Sequence, residues 1–187
     1  MRARNKRNRQ QELTALIETD PFLTDDELAE RFQVSVQTIR LDRLGLGIPE
    51  LRERIKAVAE NNYSKVRSLE MTEVIGELIE LDLNRLGISI LEIGPEHVFA
   101  RTRIARGHHL FAQANSLAVS VIDAETVLTG TADIRFRRPV KLGERLVSRA
   151  MVMDLRDDRA RVEVITKVGD DIVFEGQFMV VKMRMEA

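Results

Sequence analysis

The sequence contains no cysteine among its 187 residues. This absence excludes disulfide bonds, zinc sites with cysteine ligands and catalysis by a cysteine nucleophile. Because a chain without cysteine suits a reducing compartment, we expect the protein in the cytoplasm. A metal site is not expected from other ligands either, since the chain has only three histidines and two of them are adjacent, so that they would point apart on a helix.

Long hydrophobic runs are missing too. No apolar stretch approaches the roughly 20 residues that a membrane-spanning helix requires. The first ten residues contain no apolar segment after their basic start, so the pattern of a secretory signal peptide is absent. Because 44% of the residues are hydrophobic and 32% are charged, we expect an ordinary globular protein that does not associate with membranes.

The whole chain also lacks an excess of positive charge, since its formal net charge is -1. Basic residues are nevertheless concentrated at the beginning. The first ten positions contain five of them and no acid: Arg2, Arg4, Lys6, Arg7 and Arg9. Such a basic arm is suited to contact nucleic-acid phosphates. A solvated, frayed terminus is the alternative that this segment by itself leaves open.

Residues 1–45 have the pattern of a helix-turn-helix domain. Apolar residues at helical spacing predict a first helix, which ends before an Asp-Pro pair. Thr24 and Glu27 then form a capping-box pattern for a short second helix. Ser35 is placed to cap a third helix over residues 36–44. A short helix, a tight turn and a capped helix together indicate a helix-turn-helix.

The turn and the third helix carry a specific motif. Residues 34–42 read VSVQTIRLD, which resembles the recognition helix of DeoR-type bacterial repressors. Val36 and Ile39 can face the small core, which leaves the polar side chains to reach phosphates and base edges in a DNA major groove. The DNA contacts predicted in this way are Ser35, Gln37, Thr38, Arg40 and Arg43. Leu41 departs from the motif, which often has a second basic residue there. A three-helix protein-binding module is the alternative.

The next segment, residues 46–70, begins with a break at Gly47 and Pro49 and continues with an amphipathic pattern. From Glu50 onward, apolar residues form one stripe, with Arg54 among the charged residues opposite, which predicts a helix that needs a partner surface. That partner would be the C-terminal domain or the same helix of a second copy. Because of its position, we expect this linker helix to carry a signal between the two domains.

Residues 71–187 change to the alternating pattern of strands, interrupted by one long helix over residues 104–123. That helix is apolar on nearly all sides and lacks charge between Arg106 and Asp123, so we expect it to be buried. Four strand patterns follow it, at residues 127–138, 143–155, 159–168 and 171–183. Turn signals separate them, as in an antiparallel meander. The predicted class is α+β, with an antiparallel sheet wrapped round the central helix.

The segment from Thr131 to Val152 resembles the strand pair that follows the central helix in hotdog-fold proteins, which bind acyl-CoA or acyl carrier thioesters, usually across a dimer interface. With the DeoR-like module and the linker helix, the whole chain resembles the FapR family, most specifically over residues 38–56 and 105–119. That family consists of malonyl-CoA-responsive repressors of fatty acid and phospholipid synthesis genes in Gram-positive bacteria. The resemblance implies a homodimer that binds an inverted-repeat DNA operator and is released by malonyl-CoA bound in the hotdog domain.

The beginning of the central helix is suited to bind an anion. A helix N-terminus presents unpaired N–H groups, Gly107 lets a ligand approach the backbone, and Arg106 adds a charged fork suited to a carboxylate. The resemblance to the FapR family implies that Arg106 binds the malonyl carboxylate, that the Gly107 backbone lies close to the ligand, and that Asn115 contacts the ligand. We expect Phe99 to line the same pocket. A structural ion pair between Arg106 and an acid such as Glu96 is the competing interpretation.

Most hotdog proteins are enzymes, and thioester hydrolysis needs a carboxylate or histidine that activates water. From His108 to Ile122 the central helix contains no acid. Since no acid nearby in sequence orients them, we interpret His108 and His109 as capping or pocket residues, and we predict a regulator without catalytic residues, metal or cofactor. Two alternatives are a hotdog acyl-CoA thioesterase fused to a DNA-binding module and a regulator of another CoA thioester, such as succinyl-CoA.

Overall fold

The computed structural model describes the backbone of residues 2–183, and the side chains of the same range except residues 2–5 and 61. The chain divides into two compact units, Met1–Val58 and Ala59–Ala187. None of the helices in the described part has the length and the apolar character that crossing a membrane requires.

The first unit is helical. Its described residues form α1 (Arg2–Thr19), α2 (Asp25–Phe32), α3 (Val36–Leu46) and the beginning of α4 (Leu51–Tyr63). Apolar side chains from the first three helices make its core: Leu13, Ile17, Leu28, Ala29 and Ile39. Helix α2, a short turn and α3 have the arrangement that the sequence predicts for a helix-turn-helix.

Side-chain caps determine where α2 and α3 begin. Thr24 Oγ1 accepts the Glu27 N–H at 3.2 Å, and the Glu27 carboxylate accepts the Thr24 N–H at 2.7 Å. Ser35 Oγ accepts the Thr38 N–H at 3.2 Å. Between the two helices, Gln33 adopts a left-handed conformation with φ 54°. Both predicted caps are confirmed, and each is worth about 1 kcal/mol in typical proteins.

Helix α4 begins in the first unit, where Arg54 anchors it. This side chain is buried, and its guanidinium donates to the carbonyls of Pro21 at 3.0 Å and Leu23 at 2.6 Å. The sequence pattern had placed Arg54 on the exposed, charged side of the helix, and the structure corrects that expectation. The five donors of a guanidinium allow one side chain to satisfy several carbonyls of the preceding turn.

The second unit is an antiparallel sheet packed on one long helix. Its strands are β1 (Glu77–Asp82), β2 (Leu86–Glu92), β3 (Val127–Phe136), β4 (Arg145–Leu155), β5 (Arg159–Val168) and β6 (Asp171–Lys182). The helix, α5, spans Gly107–Ser120, and single 3-10 turns span Met71–Glu73 and Pro95–His97. The predicted α+β class is confirmed.

The strand order is β1-β2-β4-β5-β6-β3, and all neighbouring strands are antiparallel. Strands β4, β5 and β6 form a meander as predicted. Strand β3 pairs with β6 rather than with β4, so the predicted four-strand meander is wrong at its first connection. Turn signals mark where strands end, but they carry no information on which strand lies beside which. As a result, β3 forms one edge of the sheet.

Helix α5 packs against the inner face of the sheet. Ala114, Leu117 and Ala118 on the helix and Phe174 and Phe178 on β6 are all 0% exposed. Burial of a phenylalanine side chain contributes about 1.5–3 kcal/mol. The prediction of a buried central helix is confirmed, and this packing holds the beginning of α5 in a fixed position.

Candidate functional site

The first candidate site is the N-terminal end of α5. Arg106 is the N-cap residue, with φ −73° and ψ 127°, and its N–H donates to the His97 carbonyl at 2.9 Å. The first turn of α5 contains no acidic residue, so no carboxylate there offsets the positive end of the helix dipole. Such a helix end, followed by Gly107, suits an anionic ligand.

The Arg106 guanidinium is only partly engaged. It donates to the backbone carbonyl of Glu96, while its Nε is enclosed without a hydrogen-bond partner. The Glu96 carboxylate instead lies 3.7 Å from His97 Nε2. This arrangement does not support the competing interpretation of an ion pair between Arg106 and Glu96. Among the described residues no carboxylate pairs with Arg106, so a ligand carboxylate is a suitable counterion.

Gly107 lies against the ring of Phe136, the last residue of β3. A Cβ built on Gly107 would come within 3.1 Å of two ring carbons of Phe136, which is tighter than an ordinary carbon contact. Glycine at this position therefore allows β3 to pack closely against α5. Sequence reasoning missed Phe136, because its position beside the helix depends on the pairing of β3 with β6.

Asn115 shares one side of α5 with Gly107 and Phe111, since the three are spaced four residues apart. The Phe111 ring lies 6.1 Å from the Phe178 ring on β6, and Asn115 Oδ1 accepts the Thr129 hydroxyl of β3 at 2.6 Å. This side of the helix therefore faces β3 and β6. Gly107 and Asn115 lie along the edge strand, about 12 Å apart by the helical rise.

Phe99 lies on the loop that precedes α5, whose ends are joined by a bridge between Val98 and Ala105. Its side chain is 55% exposed. No hydrogen bond or ring contact found among the described residues connects this side chain with Arg106 or Asn115. The assignment of Phe99 to the pocket stays a prediction.

Three histidines gather at the same end of α5. The His109 ring lies 4.8 Å from that of His97 and 4.1 Å from that of His108. Burial, followed by the nearby His108, His97 and Arg106, lowers the pKa of His109, while Glu96 acts in the opposite direction. Sequence reasoning missed His97, because ten residues separate it from His108 and no motif marks it. Within the described ranges, no group of three potential ligands is placed to hold a metal ion.

The second candidate site lies on α3. Gln37 and Arg40 are exposed, and Thr38 is half-buried. Ser35 is exposed as well, but its hydroxyl caps the helix and lies 2.9 Å from Thr38 Oγ1. The first turns of α3 thus present the polar side chains that a recognition helix uses in a major groove.

Arg43 does not share this exposed face. It is 4% exposed, and its Nε and Nη2 donate to the two carboxylate oxygens of Asp25 at 2.7 and 2.9 Å. Its Nη1 donates to the Ile48 carbonyl at 3.2 Å. Position 43 lies one turn after the buried Ile39, so its side chain enters the core side of the helix. This placement corrects the prediction that Arg43 contacts DNA.

The basic arm is largely helical, because α1 already begins at Arg2. Arg9 Nε donates to the buried carboxylate of Asp42 at 2.7 Å, so this arginine holds α1 against α3. The other arm residues are either exposed (Lys6, Arg7) or have side chains outside the described residues (Arg2, Arg4).

Comparisons with known proteins cover both units. A DeoR-like helix-turn-helix domain model matches residues 9–46, and a thioesterase superfamily model matches residues 99–178. Transcription factor FapR from Bacillus cytotoxicus is 57% identical over 94% of this chain and 90% of its own length. Proteins of the same name from Bacillus cereus and Bacillus anthracis match with the same identity and coverage. The chain belongs to the FapR family of transcription factors.

Solved structures resemble the part of the FapR-family chain that contains the sheet. An uncharacterized protein from Pyrococcus horikoshii has a TM-score of 0.60 and 25% identity, covering 64% of this chain and 93% of its own. A sigma28-regulated virulence protein from Campylobacter jejuni has a TM-score of 0.64 and 25% identity, covering 70% and 93%. Together with the thioesterase superfamily match, these likenesses confirm the predicted hotdog fold.

FapR-family membership confirms the prediction of a DNA-binding transcription factor rather than an enzyme. The thioesterase alternative rested on the fold, and the sheet does match the thioesterase superfamily. The acids nearest to α5 in sequence, however, follow its far end, where Asp123 and Glu125 lie 2.9 and 4.0 Å from the Arg67 guanidinium. These two acids are about 20 Å from the Arg106 end by the helical rise, whereas Glu96 lies at that end, with its carboxylate 3.7 Å from His97 Nε2.

Proposed function

We propose that this FapR-family protein represses genes of fatty acid and phospholipid biosynthesis, and that malonyl-CoA bound in its hotdog domain releases it from DNA. The observation that carries the proposal is the half-buried Arg106 at the positive end of α5, whose guanidinium donates to a backbone carbonyl and has no carboxylate partner among the described residues. A ligand that ends in a carboxylate matches this arrangement, because guanidinium and carboxylate form paired, charge-assisted hydrogen bonds.

The charge on the acyl group would decide which thioester binds. A hydrogen bond to a charged group contributes about 1.5–3 kcal/mol, which corresponds to a preference of about 10- to 150-fold. Acetyl-CoA lacks the carboxylate and would leave the Arg106 guanidinium without its partner. Succinyl-CoA carries the same charge on a longer chain, so its carboxylate and its thioester could not both occupy the positions that malonyl-CoA fills.

The rest of the ligand would lie along the side of α5 that faces β3. We assign the approach of the ligand to the Gly107 backbone and a polar contact to Asn115. The Asn115 carbonyl oxygen accepts from Thr129, which orients the amide and leaves its N–H donors for the ligand. Phe136, which lies against Gly107, and Phe99, on the loop that precedes α5, are exposed aromatic side chains and are candidates for its apolar walls.

The CoA nucleotide needs a cation for its phosphates. Arg137 and Arg138, which follow β3, form ion pairs with Glu175 and Glu144. Lys141 is exposed, and it forms an isolated backbone bridge with Ile104, close in sequence to α5. Among these three cations, we favour Lys141 as the phosphate contact.

Strand β3 supports the assignment of a homodimer. It is paired on one side with β6 and forms the sheet edge on the other, with Leu128 55% and Phe136 51% exposed. A long edge strand with unpaired backbone groups invites a further strand. We propose that a second copy pairs through the same strand, since symmetric pairing of identical surfaces closes a dimer.

Such a dimer would present two recognition helices to an inverted-repeat operator. The proposed DNA contacts are Ser35, Gln37, Thr38 and Arg40. For release, malonyl-CoA must bind the arrangement that does not fit the operator more tightly than the one that does. Because operator and effector both act inside the cell, we place the protein in the cytoplasm.

A gel-shift titration with the full chain and DNA from upstream of fatty acid synthesis genes tests this function. Malonyl-CoA should release the DNA at concentrations about 10- to 150-fold below those needed for acetyl-CoA. Equal release by acetyl-CoA would contradict the carboxylate-receiving role of Arg106, and preferential release by succinyl-CoA would change the effector. A parallel assay of thiol release should show no turnover, and rapid hydrolysis would favour the thioesterase alternative.

A further inference from the structure

The exposed face of α3 contains leucines as well as polar residues. The buried side of the helix includes Ile39, Asp42 and Arg43. The opposite side carries Gln37, Arg40, Leu41 and Leu44. Leu41 is 59% exposed and Leu44 is 73% exposed. Single exposed leucines are common on protein surfaces, but these two continue the face that a helix-turn-helix presents to the major groove.

Leu41 is placed among the side chains that read bases. It lies one turn after Gln37, about 6 Å along the helix axis, and directly after Arg40. In helix-turn-helix proteins the N-terminal part of the recognition helix contacts the base edges. The motif often has a basic residue at position 41, and a leucine there replaces a phosphate or guanine ligand with an apolar surface.

We propose that Leu41 determines operator specificity by packing on the 5-methyl group of a thymine in each half-site. The thymine methyl is the apolar group that base pairs present in the major groove, whereas the other groups there are hydrogen-bond donors and acceptors. Gln37 and Arg40 are suited to adenine and guanine, so the three side chains together read a short mixed sequence. Burial of one methyl against leucine corresponds to about a fourfold gain in affinity.

Leu44 is the matched comparison on the same face. It is the same residue type and more exposed, but it lies three residues further from the beginning of α3. Because base contacts concentrate near the beginning of the helix, we assign the methyl contact to Leu41 and not to Leu44. Both side chains are largely exposed, so replacing either by alanine removes little of the buried core.

The experiment removes the methyl group from DNA and the leucine from the protein. A duplex is selected from random sequences by the full chain, and each thymine is then replaced singly by deoxyuridine, which lacks only the methyl. With the unaltered protein, one thymine position in each half-site should weaken binding about fourfold. If no thymine shows such an effect, the proposal is wrong.

The Leu41→Ala variant then separates methyl recognition from other roles. It should bind the thymine and deoxyuridine duplexes equally, and about 16-fold more weakly than the unaltered protein binds the thymine duplex, because the contacts in both half-sites are lost. Leu44→Ala should retain the difference between the two duplexes. The assignment is overturned if Leu41→Ala still distinguishes the two duplexes. Weaker binding of both duplexes with the difference retained would indicate a contact between protein copies. Thermal unfolding of each variant confirms that α3 remains folded.

Discussion

At the scale of single residues, the hydrogen-bond partners of three arginines indicate which of them stabilise the fold and which is available for a ligand. Arg43 and Arg54 are 4% and 5% exposed, and carbonyl or carboxylate oxygens of the chain accept their N–H groups. Arg106 has a backbone carbonyl partner but keeps an enclosed Nε without one. Removing a guanidinium from water costs several kcal/mol unless it is paired. Arg106 has no carboxylate partner among the described residues, and we expect a ligand to provide one.

Replacing Arg106 by alanine should leave operator binding intact and remove the response to malonyl-CoA. The loss of a charge-assisted hydrogen bond should raise the malonyl-CoA concentration needed for release by about 10- to 150-fold. A gel-shift titration measures both properties in one experiment. The exposed Arg101, replaced by alanine, is the matched control and should respond as the unaltered protein does. Normal release of the Arg106 variant would contradict the anion-site assignment.

Asp25 should be essential for the first unit, because its carboxylate is the partner of the almost fully buried Arg43. Asp25→Asn should lower the free energy of unfolding by about 3 kcal/mol, since it leaves a buried charge without its counterion. Urea unfolding followed by circular dichroism gives this value. Asp26→Asn on the same helix is the exposed control. Equal stability of both variants would show that Arg43 finds another partner.

Acid should weaken the same pair. Hydrogen bonds from Arg43, the largest cause, hold the pKa of Asp25 below its usual value, so the folded carboxylate binds a proton less readily than the unfolded one. The stabilisation of the folded state by the Asp25–Arg43 pair is fully present above the pKa that Asp25 has in the unfolded chain. It is lost as the pH falls through the pKa that Asp25 has in the folded protein. Between about pH 5 and 2, the Asp25→Asn variant should therefore lose less stability than the unaltered protein.

His109 should couple effector binding to protons. Burial is the main cause that lowers the pKa of His109, so the imidazole is neutral at pH 7. A malonyl carboxylate bound at Arg106 would favour the protonated form, so binding should take up a proton and strengthen as the pH falls from about 7 to 6. Calorimetry in buffers with different ionisation enthalpies measures the uptake. His109→Gln should abolish the proton uptake on malonyl-CoA binding, and His108→Gln, at an exposed position, is the control. Unchanged proton uptake in His109→Gln would show that His109 is not the group that binds the proton.

At the scale of elements, local signals predicted α3 and α5 well, whereas the neighbours of β3 were not predictable. The cap of α3 and the apolar character of α5 act within a few residues, through backbone hydrogen bonds and helical periodicity. Strand β3 has an alternating pattern that identifies a strand, but its partner β6 begins 35 residues after β3 ends. Only the complete sheet determines that β3 is an edge and that its last residue, Phe136, covers Gly107.

Placing a charge on this edge should prevent dimerisation. Ala132 is exposed in the middle of β3, so lysine is compatible with the isolated fold, but it would be buried between two copies. Lysine on an edge strand opposes strand pairing. Ala132→Lys should therefore shift the protein from dimer to monomer in size-exclusion chromatography with light scattering, and weaken operator binding.

Met151→Lys is the control for this substitution, because Met151 is 39% exposed on β4, an interior strand of the sheet. It adds the same charge without altering the edge. If Ala132→Lys remains dimeric at micromolar concentration while retaining its thermal stability, the two copies associate through another surface.

At the scale of the whole molecule, effector and operator are expected to oppose each other through one equilibrium. If malonyl-CoA weakens operator binding by a certain factor, operator DNA must weaken malonyl-CoA binding by the same factor. Coupling free energies of this kind are typically about 1–3 kcal/mol, or about 5- to 150-fold. Calorimetric titration of malonyl-CoA with and without saturating operator measures one factor, and fluorescence anisotropy of labelled operator measures the other. Unequal factors would mean that release involves a further species, such as a change in oligomeric state.

Much of this molecule follows from its sequence because the decisive signals are local. The order of a helix-turn-helix, an amphipathic helix and an α+β domain is visible from caps, periodicity and the VSVQTIRLD motif, and the resemblance of residues 131–152 implies the hotdog fold. The prediction that Arg106 and Gly107 bind an anion also follows from the sequence, since it depends on their position at the beginning of an apolar helix.

Tertiary structure decided the choices between chemically similar residues. Arg40 and Arg43 are both arginines on α3, yet the first is exposed and the second is enclosed by Asp25. Likewise, any of several strands could have formed the sheet edge that now lies beside Asn115. The physical reason is the same in both cases. Burial and strand pairing depend on which distant segments pack together, and the cost of an unpaired buried charge or backbone group selects one arrangement only in the complete fold.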